Sequence, residues 1–181
     1  VLDQSDGEQT AVVAMAAEYC KAEHVTFMAR QARGLVSLAL TEELCEQLNL
    51  PPMVDPATSG AVKLSIEASA GIDTGISAAD RAHTVRVAVA PDAKPSDLVQ
   101  PGHIFPVATL TGGVLIRTGA AEAGVDLATL AGLTPAAVFA EVLDANGDLA
   151  DAAALVDFAD KHDLTVTRVP HLVAYRLKHY R

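Results

Sequence analysis

Ser77-Ala78-Ala79-Asp80-Arg81-Ala82-His83-Thr84-Val85-Arg86-Val87 is the stretch from which the fold can be read. Ser77 followed three residues later by Asp80 fits a capping box, and Asp80 also stands where the positive end of a helix dipole favours a carboxylate. A helix therefore begins at Ser77 and runs to about Val87. On either side the pattern changes to alternating branched apolar residues, which predict strands over residues 62–68 and 103–109. Working outward, the same alternation predicts strands over residues 12–18, 35–40, 136–143 and 164–168. Helical patterns fall between them, over residues 21–31, 42–48, 120–131 (stopped by Gly132) and 152–162, with a last helix entered at Pro170. Alternating strands and helices argue for a sheet layered with helices. The connections over residues 55–60 and 88–102 are too irregular for a clean βαβ series, so a mixed sheet is expected.

Composition narrows the class of protein. The chain has 181 residues, 50% hydrophobic but only 4% aromatic and without Trp, so its core is aliphatic and of a size suited to one domain over residues 1–181. Thirteen Lys and Arg against 23 Asp and Glu give a formal charge of −10, which repels phosphodiester backbones and anionic lipids. Nucleic acid and membrane surfaces are thereby disfavoured as partners, whereas a small phosphorylated substrate needs only a few local donors. No apolar run reaches the roughly 20 residues that span a bilayer. Cys20 and Cys45 lack any metal or disulfide spacing and read as buried, reduced thiols of a cytoplasmic protein.

Three segments carry a resemblance. They are Thr74-Gly75-Ile76-Ser77-Ala78-Ala79-Asp80-Arg81, Pro101-Gly102-His103-Ile104-Phe105-Pro106 with Gly112-Gly113-Val114-Leu115, and Leu130-Ala131-Gly132-Leu133 with Pro135-Ala136-Ala137-Val138. In this order they resemble the 3,4-dihydroxy-2-butanone 4-phosphate synthases of riboflavin biosynthesis, and Leu50-Pro51-Pro52-Met53-Val54 and Leu172-Val173-Ala174-Tyr175-Arg176 match as well. The resemblance implies an α/β (α+β) domain of three layers, with a mixed β-sheet flanked by helices. It further implies a homodimer with sites near the subunit interface, and a helix and strand before Val1 that are missing here. The implied reaction turns ribulose 5-phosphate into dihydroxybutanone phosphate and formate with Mg2+. Such chemistry needs acid/base groups, a metal for the enediolate and donors for the phosphate.

Carried over residue by residue, the family pattern puts a metal-binding Glu at Glu8, an essential His at His103, a phosphate-contacting Arg at Arg117 and a substrate-contacting Glu at Glu141. By themselves these residues read more plainly as a polar loop before a strand, a structural His, a surface Arg and a solvated Glu. Departures from the pattern concentrate at the same place. The substrate-contacting Arg is Gly7, a second Glu is Thr10, the closing Asp of the acidic loop is Val12, and the metal-binding His and the following Thr are Ala120 and Ala121. A Cys common in the second strand is Ser37. Mg2+ is often held by only one or two protein ligands, so Ala120 leaves binding at Glu8 in doubt. Three functions follow as expectations: a synthase of weak or no activity, a non-catalytic dimerising domain of a GTP cyclohydrolase II fusion, or a recruited enzyme for another phosphorylated, sugar-like substrate.

Overall fold

The computed structural model describes residues 1–3, 10–54 and 61–179. Among the described residues six strands form one sheet: β1 (Leu2–Asp3), β2 (Thr10–Ala16), β3 (Ser37–Thr41), β4 (Ile66–Ala68), β5 (Leu98–Thr109) and β6 (Ala136–Glu141). Their order across the sheet is β1-β2-β6-β3-β5-β4. β3 and β5 run parallel, with Ser37 opposite Phe105, and the other neighbours are antiparallel. The sheet is therefore mixed, as the irregular connections predict.

Strand alternation builds the layers, because successive side chains point to opposite faces. Leu38, Leu40, Val138 and Ala140 enter a large aliphatic core with Val25 and Met28, Cys45, and Ala82 and Val85. These come from α1 (Ala22–Phe27, continued by a wider turn over Met28–Ala32), α2 (Glu42–Gln47) and α3 (Ala78–Ala88), and Leu155 of α5 (Ala152–Lys161) joins them. Ala39, Ala137 and Phe139 point the other way, onto Ala121 and Val125 of α4 (Ala120–Leu130). Outside α4, Val169 and Leu172 of α6 (Val169–His179) pack on Ala123 and Val114. Helix, sheet, helix is the expected three-layer order. Cys20 and Cys45 are buried and free, as predicted.

Several boundaries shift. The helix predicted from Ser77 starts at Ala78, with Ser77 as N-cap accepting from the Asp80 amide at 3.0 Å. The strand predicted over residues 12–18 begins two residues earlier and gives way at Ala17 to a 3-10 turn. Over residues 62–68 only the last three form a strand, while Val62 and Lys63 make isolated bridges. The strand predicted over residues 164–168 does not form. Among the described residues this segment meets the sheet through one bridge, Leu2 to Arg168, and one backbone bond, from the Leu2 amide to the Thr167 carbonyl at 2.9 Å. Among the described residues no helix is long and apolar enough to cross a membrane.

Candidate functional site

His103 acquires its surroundings from a break in strand pairing. β4 and β5 are in register at Ile66 opposite Ile104, but the next residue, Glu67, stands opposite Val99. Residues 100–103 are thus extra length on β5, and this irregularity re-aims a side chain as a β-bulge does. Gly102 makes the close approach possible: a Cβ there would overlap the Ile66 backbone. The Gly102 amide donates to Ser65 Oγ at 3.1 Å and fastens the bend. The result sets His103 Nδ1 against Glu67 Oε1 in a hydrogen-bonded pair. The Glu67 side chain is 16% exposed and that of His103 42%.

The loop before α3 closes over the carboxylate of this pair. Gly75 lies at φ +79°, a conformation that suits glycine, and any Cβ on it would overlap Glu67 Oε1. The loop is held from the helix, since the Gly75 amide donates to Asp80 Oδ2 at 3.0 Å. Asp80 thus caps its own approach loop instead of returning to the Ser77 amide. Burial alone would raise its pKa, but bonds from the Ser77 hydroxyl and the amides of Gly75, Asp73 and Thr74 outweigh that and hold it below the usual carboxylate value. Glu67 is the residue that sequence reasoning missed. Its only signal is a carboxylate inside the apolar run Leu64-Ser65-Ile66-Glu67-Ala68.

Arg117 stands before α4 and is already paired. Its Nε donates to Glu122 Oε1 at 2.6 Å, its Nη2 contacts the same oxygen, and Nη2 also donates to the Ala108 carbonyl at 2.9 Å. Glu122 is 1% exposed and also accepts from the Leu110 amide at 3.3 Å. One turn on, buried Asp126 accepts from the Val114 amide at 3.0 Å and from Arg176 Nη1 at 2.7 Å. Two buried carboxylates of α4, each met by an arginine, therefore clamp the 110–117 loop onto the helix.

Glu141 ends β6 directly opposite Val12 of β2. Ser37 is opposite both Phe105 and Phe139, so His103, two residues before Phe105, and Glu141, two after Phe139, lie toward the same end of the sheet. Between these strands and α4 the replaced positions come together. Val12 and Ala121 belong to one apolar cluster with Ala39, Val125, Ala137 and Phe139, and Ala120 packs against it. Ser37 is buried, with its hydroxyl 3.5 Å from the Leu35 carbonyl.

Glu8 and Gly7 lie outside the described residues, as does the connection over residues 55–60. Ala120, the first residue of α4, has no donor atom in its side chain. Among the described residues no group of three or more His, Cys, Asp or Glu is arranged to hold a metal ion.

The family model for 3,4-dihydroxy-2-butanone 4-phosphate synthase matches residues 1–175. A curated synthase of that name from Pseudomonas syringae is 49% identical over 180 residues, covering 98% of this chain and 49% of the relative. The crystal structure of RibBX, a two domain 3,4-dihydroxy-2-butanone 4-phosphate synthase from A. baumannii, is similar at TM-score 0.93 and 47% identity, over all of this chain and 55% of that one. A synthase crystallised in complex with two magnesium ions is similar at TM-score 0.84 and 35% identity, over 99% of this chain and 91% of its own. The chain spans about half the length of the first two of these proteins.

Proposed function

The chain belongs to the 3,4-dihydroxy-2-butanone 4-phosphate synthase family, and from that premise we propose that it is a homologue in which release of formate from ribulose 5-phosphate is weak or absent. The observation that carries this reading is the cluster of Val12, Ala120 and Ala121 with Ala39, Val125, Ala137 and Phe139. At the positions where the family pattern calls for Asp, His and Thr, this chain packs aliphatic side chains against one another. Proton abstraction beside a carbonyl creates an enediolate, whose charge must be met by a metal or by aimed donors. An alkyl-lined wall offers neither.

Other parts of the machinery persist. His103, partnered by Glu67, is suited to move a proton, and Glu141 stands at the same end of the sheet. Arg117 remains the candidate phosphate donor, but its pairing with Glu122 neutralises much of the charge an anion would seek. Residues that act as a unit lose most of their effect when one member is missing, so a surviving proton carrier does not by itself restore turnover. The scaffold then serves as a dimerising domain, and the two-domain architecture named for the A. baumannii relative supports a second, fused domain, with GTP cyclohydrolase II as the candidate.

The test measures formate from ribulose 5-phosphate with Mg2+ present, beside an intact homologue. Little or no formate is expected. Turnover at the common enzyme scale of about 1 per second or faster overturns the reading.

A further inference from the structure

We propose that Glu67 is a positioning residue for His103, accepting its Nδ1–H so that the imidazole is locked in one tautomer and Nε2 is left as the lone-pair nitrogen that takes up a proton. The inference rests on His103 being the proton carrier of the proposed site, and it goes beyond that by assigning a residue which the family motifs, as read in the sequence, do not include.

Three features of the chain are spent on this one contact. The extra residues 100–103 on β5 set His103 against Glu67 instead of continuing the ladder. Gly102 is needed because any side chain would strike the Ile66 backbone. Gly75, pinned by Asp80, leaves open beneath the loop the space that the Glu67 carboxylate occupies and a Cβ would fill. A carboxylate is an acceptor only, so a neutral imidazole facing it must present N–H at the facing nitrogen, here Nδ1. The partner is thereby shielded and the ring is the more open member of the pair, with 42% of its side chain exposed against 16%. A carboxylate that orients a histidine and selects its tautomer is a recognised device for preparing the opposite nitrogen as a base.

The test reads the tautomer directly and does not require turnover. In 15N-labelled protein, long-range proton–nitrogen correlation spectra assign the protonated nitrogen of each ring, recorded well above the ordinary histidine pKa of about 6.5. The His103 signals are identified by their loss in His103→Gln. Wild type is expected to carry the proton on Nδ1. Glu67→Leu should shift the ratio toward Nε2–H by about tenfold or more, the scale of a lost hydrogen bond to a charged group. Gly75→Ala, which displaces the carboxylate without altering either partner, should shift it the same way, with core methyl signals reporting that the variants are folded. A wild-type proton on Nε2, or an unmoved ratio in folded Glu67→Leu, overturns the proposal, and the wild-type spectrum decides even if a variant fails to fold. Formate is followed in parallel. Silence of the wild type supports the weak-synthase reading and leaves the tautomer result standing by itself. Turnover overturns that reading, and Glu67→Leu must then lower kcat about 10- to 100-fold with KM changed less than about twofold; an unchanged kcat overturns the positioning role.

Discussion

Val12→Asp restores at one position the carboxylate that the family pattern expects, and it should unfold the protein more readily instead of repairing it. Val12 is 6% exposed, packed with Ala39, Ala121, Val125 and Phe139. Removing it from that cluster forfeits about 1.5 kcal/mol of apolar burial. The new carboxylate would also stand directly opposite Glu141 in an antiparallel pair, where Cβ atoms are about 5 Å apart. Like charges at that distance repel by about 3 kcal/mol at an effective dielectric constant of about 20, less here because Glu141 is partly exposed. The expected loss is about 3–4 kcal/mol. With a urea m-value of about 2 kcal/mol/M, the unfolding midpoint should fall by roughly 2 M, whereas uncharged Val12→Thr should lose about 1 kcal/mol. The sign of the pH effect is fixed. A buried Asp has its folded pKa raised above the ordinary 3.9, so its penalty is full at neutral pH and shrinks as pH falls toward that value. Urea titrations at about pH 7 and about pH 5 check both points. A loss below about 1 kcal/mol, the same at both pH values, would refute the idea that this region is a sealed apolar cluster.

Arg117→Ala leaves Glu122 buried without its cation and should cost about 3–5 kcal/mol, read by the same titration; a change within about 0.5 kcal/mol would mean the pair contributes nothing to the loop clamp. Asp80→Asn should lower Tm at neutral pH and bring the variant closer to wild type in acid. Because the folded Asp80 pKa lies below 3.8, its contribution is complete above that value and is lost as pH falls through the lower, folded one. Burial pushes the Cys20 and Cys45 thiols up to about 11, so a thiol reagent at neutral pH should label neither in the native state and both in urea; fast native labelling would contradict their burial. Sedimentation at micromolar concentration should give a dimer, and a strict monomer would remove the dimerising role.

The sequence by itself determined whatever depends on neighbours in the chain. Ser77 and Asp80 specify the start of α3 because capping acts over three residues. The alternation of Leu38, Ala39 and Leu40 fixed which side chains face each layer, because the strand period is two. The order of the motifs fixed the family, and the replaced residues at Gly7, Val12, Ala120 and Ala121 were plain on inspection. The predicted strand over residues 164–168 went wrong for the complementary reason: a strand is defined by its partner across the sheet, and among the described residues only Arg168 of that segment bridges to one, at Leu2. Only the tertiary structure decided what the replacements amount to. Val12 and Ala121 are far apart in sequence and become one cluster because α4 lies across β2, β3 and β6. The pairing of Arg117 with Glu122 spans the start of a helix, where helical spacing gives no guide. Glu67 meets His103 only because β5 carries extra residues at Gly102, and a register shift is set by the contact of two backbones, which no local pattern encodes.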